Sequence, residues 1–137
     1  MSYSNFYARF YNLRKKSFEA LSFVLSFFPS RVYLIVILGL QLLAWFQAFF
    51  IKKSLSGDIL ILHYNVDFGV DLVGSPSRIF YYSSLGLLVL LINLIFSASL
   101  SRRKDAKTFI HLFLGTAVLF NAFLDLALLS IYFVNFR

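Results

Sequence analysis

The chain has 137 residues, 60% of them hydrophobic and only 14% charged, with a mean hydropathy of +0.79 and a formal charge of +7. A soluble domain is about 45–50% apolar and about 25% charged, so this chain has far more apolar surface than one small core can bury, and lipid is the natural solvent for much of it. The lack of cysteine excludes disulfides, thiolate metal sites and cysteine nucleophiles. The positive charge gathers at the ends of apolar runs, with no basic helix or aromatic-basic sheet pattern, which points to anionic lipid headgroups and not to nucleic acid.

Residues 1–29 mix Phe and Tyr with Arg9, Arg14, Lys15 and Lys16. Phe10, Leu13, Leu21, Val24 and Phe28 share a helical face at steps of three, four or seven, apart from a jump at Ser17. That pattern predicts an interfacial amphipathic helix. A cleaved signal peptide also runs from basic to apolar, but Glu19 interrupts the apolar part and no small-x-small cleavage site follows. Pro29 is expected to separate this helix from the next, with Ser30 as its cap.

Residues 30–137 read as a membrane domain of three spans. The first, 32–51, has the ~20 residues that cross about 30 Å of hydrocarbon as a helix. Its polar intrusions are Gln41 and Gln47, and its Trp45 is expected to pack or face lipid.

The connection 52–78 is expected to lie outside the membrane. "KKSLSGD" reads as a turn, and "ILILHYNV" alternates Leu60, Leu62, Tyr64 and Val66 against Ile61, His63, Asn65 and Asp67. "FGVDLVG" returns as a second short strand, with Phe68-Gly69 and Gly74 at the turns. A short β-hairpin-like lid over the outer helix ends is the expectation. The series Asn65, Asp67, Gly69, Asp71 has a superficial likeness to a Ca²⁺ loop, but it lacks the glycine of position six and the closing glutamate. His63 with Asp67 offers too few ligands for Zn²⁺. No metal or cofactor is expected, and His63, Asn65, Gly69, Asp71 and Gly74 are candidates for structuring the loop or for binding a peptide or small ligand.

The motif His63-Tyr64-Asn65, two residues, Phe68-Gly69, one residue, Asp71, two residues, Gly74 resembles the signature of a family of small, uncharacterised bacterial three-span membrane proteins, frequent in uncultivated small-genome lineages. The likeness covers roughly residues 29–133, with the helices matched in character only. Asp67 stands where that pattern is often aromatic, which argues against it as a shared ligand. More distantly, the loop is similar to a connector in a membrane domain of unknown function found in proteins related to the sporulation-delaying-toxin immunity protein. The Leu-Pro start and Gly-Ser-Lys end of that connector are missing, and "GSPSR" is a partial echo. Both resemblances imply an integral membrane protein and neither supplies a catalytic residue.

The second span, 79–100, carries Ser83 and Ser84 near its outer end and a stripe of Gly86, Leu90, Asn93 and Ser97. Such a stripe suits close helix contact within the chain or in a dimer, with Asn93 bonding across. The third span, 108–133, exceeds the minimum length and is expected to tilt or protrude. His111 lies at its inner end. Asn121 and Asp125 stand i, i+4 on one face. Counted from the outer ends, Gln47, Ser83, Ser84, Asn121 and Asp125 are expected to form one polar cluster under the hairpin, with Arg78 reaching down to it. An intramembrane acid is a functional candidate by default.

Nine basic residues (Arg9, Arg14, Lys15, Lys16, Arg31, Arg102, Arg103, Lys104, Lys107) would share one side, against four (Lys52, Lys53, Arg78, Arg137) on the other. The excess predicts the amino terminus inside and the carboxy terminus outside a bacterial cytoplasmic membrane. The chain has no Ser-His-Asp set, HExxH, phosphate loop or paired carboxylates on one element, and no internal repeat. The expectation is therefore an all-α integral membrane protein and not an enzyme. It would act as a structural or interaction protein beside a membrane protein partner or a second copy, or alternatively as a binding or immunity module working through 59–74.

Overall fold

The computed structural model describes residues 3–136 other than 56, 66 and 68, with residues 3–6 as backbone only. Val66, Phe68 and Arg137, expected in the strand, the turn and the outer flank, lie outside the described residues. The elements in chain order are α1 (Tyr3–Ser26), α2 (Phe28–Ser54), β1 (Leu60–Asn65), β2 (Gly69–Gly74), a single 3-10 turn (Pro76–Ile79), α3 (Phe80–Ser99) and α4 (Ala106–Phe136). Three of the helices, with the 3-10 turn leading into α3, are long and apolar enough to cross a membrane. Lys52 and Lys53 sit in the last turn of α2, where cations suit the carbonyl end of the helix. The 31 residues of α4 make a helix about 46 Å long at 1.5 Å per residue, longer than the hydrocarbon core.

The break between α1 and α2 falls at Phe27 and not at Pro29. Phe27 is extended (φ −75°, ψ 116°), and Pro29 occupies the first turn of α2, where a missing N–H costs nothing. Ser30 lies inside the helix with its hydroxyl buried and unpartnered, so it is not the cap. Phe28 opens α2, stays exposed and drops out of the face expected for α1. On that face only Val24 is buried, packed on Ile110 and Leu114 of α4, while Phe10, Leu13 and Leu21 remain exposed. Arg31 closes the corner. Its Nε donates to Leu25 O at 2.7 Å and Nη2 to Ser26 O at 3.4 Å, satisfying carbonyls that the end of α1 leaves free.

The core is a stack of three apolar layers. Val24, Ile110 and Leu114 form the inner one, and Ile37, Leu90 and Ala117 the middle one. The outer layer joins Ala44, Ala48 and Ile51 of α2 to Ile79, to Leu128 and Ile131 of α4, and to Leu60 and Leu62 of β1. The order of these layers makes α2 and α4 run the same way and α3 run opposite to both, with α2 packed directly on α4. Alanines on the buried face of α2 let the helices approach closely.

β1 and β2 pair antiparallel, from Leu60 opposite Gly74 to Asn65 opposite Gly69. Register shifts on either side of His63 break the expected alternation. Leu60 and Leu62 are buried, but Tyr64, expected on the same side, is 49% exposed beyond the irregularity. Leu60 and Leu62 share an apolar layer with Ile51, Ile79 and Ile131 at the helix ends, and the hairpin also reaches beyond them. Ile61 is held beside Asn135, while His63 and Tyr64 share a cavity with Ala127 and Ser130, further back along α4. Leu62 and Leu72 share another cavity with Tyr81, Tyr82 and Leu85. The hairpin therefore meets the helix ends where it was expected and extends from them along the flank of α3 and α4.

Candidate functional site

The polar residues of the bundle separate into a bonded layer and an unbonded one. In the bonded layer, between the middle and outer apolar layers, Gln41 Nε2 donates to Asn121 Oδ1 at 2.6 Å, with both side chains buried. Asn121 Nδ2 donates to Ala117 O at 2.8 Å, and the carbonyl of Gly86 lies 3.5 Å from the same nitrogen. Turned over, the Gln41 amide would instead donate to Ser83 O at 3.3 Å and accept from the Leu87 N–H at 3.0 Å. In either setting it inserts against the backbone of α3. It can do so because Gly86 has no Cβ: one built there would collide with Gln41 Nε2 and Asn121 Oδ1. The layer thus ties α2, α3 and α4 together at one level.

Nearer the hairpin end, Gln47 Oε1, Ser83 Oγ and both carboxylate oxygens of Asp125 are buried with no hydrogen-bond partner among the described residues. Asp125 points into the bundle, 7% exposed, but it makes none of the expected bonds to Gln47, Ser83 or Ser84. Ser84 faces outward. Asn121 belongs with Gln41 and not with this group. Arg78 does not reach down either: its Cδ and the Leu62 Cδ1 take up the space beside Gly74, each 2.8 Å from where a Cβ would stand. Gly74 is needed for that close packing and not for a turn, since Gly69 is the glycine with positive φ, +79°.

The stripe on α3 faces inward, with Gly86, Leu90 and Ser97 buried. Asn93 does not bond across. Its Nδ2 donates to Val89 O at 2.8 Å in its own helix, and Ser97 Oγ donates to Asn93 O at the same distance.

In the hairpin, His63 Nδ1 lies 2.7 Å from Asp71 Oδ1, with both side chains largely exposed. The strand irregularity brings them together, since His63 pairs with Leu72 and Tyr64 with Val70, leaving Asp71 between. Asn65 Oδ1 accepts from the Asp67 N–H at 2.8 Å, a side-chain turn of the kind that Asn forms two residues before a bend. Asp67 is exposed, and among the described residues no three His, Cys, Asp or Glu side chains converge as metal ligands.

One contact was missed in the sequence. Asn135, near the end of α4, receives the Ile61 N–H on Oδ1 at 3.0 Å and returns Nδ2 to Ile61 O at 2.8 Å. Its amide pairs with β1 as a neighbouring strand would, on the edge opposite β2. The available signal was an isolated Asn just beyond an apolar run. At the other end of the bundle His111 Nδ1 lies 2.9 Å from the Tyr33 hydroxyl, and Phe27 meets the His111 ring edge-on at 5.4 Å. No known protein family, curated protein or solved structure matches this chain.

Proposed function

We propose that the chain is a multi-pass protein of the bacterial cytoplasmic membrane, amino terminus inside and carboxy terminus outside. It acts as an accessory or structural subunit beside another membrane protein or a second copy, and it carries out no catalysis. The likeness of its hairpin motif to small bacterial three-span proteins belongs to the same reading. One observation carries it. The span polar groups that find partners bond their own bundle, while only 22% to 28% of the most apolar stretch of each span is buried within the chain. The outer flanks, with Leu42 and Phe46 on α2 and Phe123 and Leu126 on α4 exposed, are left for lipid and partner helices. Photo-crosslinkers at those four positions, activated in native membranes, should trap a discrete polypeptide. Adducts to lipid alone at every position would defeat the accessory role.

A second reading, peptide recognition by the hairpin, is favoured by the free edge of β2. Among the described residues the sheet has two strands and Asn135 covers the far edge of β1, so an extended segment can join along β2. Under this reading His63→Ala and Asp71→Ala stay folded and lose a partner in pull-down. Folded variants that keep every partner would defeat it.

A further inference from the structure

α1 and α3 enclose a groove of about 540 Å³ at the inner end of the bundle. Its lining is graded along α3. Leu94 and Ile95 line one part, and Ser101 and Arg102, past the end of the helix, line another. Five residues of α3 separate Leu94 from Ser99 at the helix end, about 7.5 Å of helix rise, and Ser101 and Arg102 follow in the turn beyond. α1 closes the other wall, with Leu21 against the apolar part and Lys16 and Ser17 among the polar lining. The surrounding charge is one-sided. Nine Lys and Arg residues lie in 1–31 and 102–107, against Glu19 and Asp105. Glu19 is already engaged, its Oε2 3.2 Å from Arg102 Nη2 at the surface.

We propose that this groove is a binding site for one anionic glycerophospholipid, its phosphate held by Lys16 and Arg102 and its acyl chains laid along Leu94, Ile95 and Leu21. Charge complementarity selects the headgroup. The change from apolar to cationic lining over about one bilayer leaflet's interfacial depth selects a lipid over a free anion. Volumes of this size accommodate small-molecule ligands. Exposed Ile95, 63% accessible, leaves a lateral opening through which a lipid can enter from the bilayer. Glu19 competes with the phosphate for Arg102, so it weakens the site. The inference rests on the membrane-spanning reading above.

The test uses the full-length protein in detergent, with native mass spectrometry and added phosphatidylglycerol or phosphatidylcholine. Phosphatidylglycerol should remain bound as a single adduct where phosphatidylcholine is lost. Lys16→Gln with Arg102→Gln should weaken that adduct roughly ten- to thirty-fold, as expected for two cations near a headgroup. Arg103→Gln with Lys104→Gln, which removes the same charge outside the groove, should leave it unchanged. Ile95→Trp should block the apolar part and abolish it. Glu19→Gln should strengthen it, whereas a purely structural Glu19–Arg102 pair would loosen α1 and weaken it. Equal losses in the two double variants, equal retention of phosphatidylcholine, or full displacement by inorganic phosphate would each overturn the lipid site. Failure of the protein to partition with membranes at all would overturn the spanning reading instead.

Discussion

Gln41 and Asn121 meet where water has little access, and Gln41 Nε2 supplies the donor for Asn121 Oδ1. Removing one partner strands a buried polar group, at a cost of about 1–3 kcal/mol, while replacing both with apolar side chains of similar shape is close to neutral. Gln41→Leu and Asn121→Leu should therefore each lower thermal stability in detergent, and the double variant should recover most of the loss. Additive losses would show that the two amides do not act as a pair. The presence of polar residues in the spans was legible from the sequence, as was the inward face of Asn121 and Asp125 at i, i+4 spacing. Their partners were not. Depth counted along separate helices placed Asp125 with Gln47 and Ser83, and the i, i+4 face added Asn121, but a bond also depends on the rotation of each helix about its axis, which only packing sets. Gly86 shows the same dependence, since its need for a missing side chain arises from two amides on other helices.

The hairpin is held from two sides. Leu60 and Leu62 enter the outer apolar layer, and Asn135 pairs with the Ile61 backbone. The exposed His63–Asp71 pair contributes under about 1 kcal/mol, as exposed pairs usually do. Asn135→Leu should therefore speed hydrogen exchange at the Ile61 amide by roughly ten-fold or more, the effect of losing about 1.4 kcal/mol of local protection. Unchanged exchange would mean that the apolar contacts alone hold the strand. Alternation and glycine placement revealed two strands and a turn, and Gly69 does take the positive φ that the turn requires. The irregularity around His63 and the fold-back along α4 were hidden, because they arise from the fit of β1 to a neighbouring helix.

Across the whole molecule, the distribution of Lys and Arg sets the expected orientation, nine residues on one side and four on the other. A periplasm-active phosphatase fused after Arg137 should be active, and the same reporter inserted in 102–105 should be silent. The opposite pattern would invert the topology and place the hairpin in the cytoplasm. The end of the bundle opposite the hairpin holds α1, anchored by Val24 on Ile110 and Leu114, by Arg31 at its carbonyl end and by Glu19 on Arg102. With most of α1 exposed, its remaining apolar side chains suit the headgroup boundary.

Long apolar runs declare three helices whatever their neighbours, because a backbone in hydrocarbon must satisfy its own hydrogen bonds. Local chemistry likewise announces a hairpin through its alternation and glycines. These features depend on residues close together in the chain, so they can be read in order. Which amide meets which, why residue 86 carries no side chain and where the hairpin lies against α4 depend on contacts between residues far apart. Asn135 and Ile61 are 74 positions apart and Gln41 and Asn121 are 80 apart, and only packing the three helices brings either pair within bonding distance.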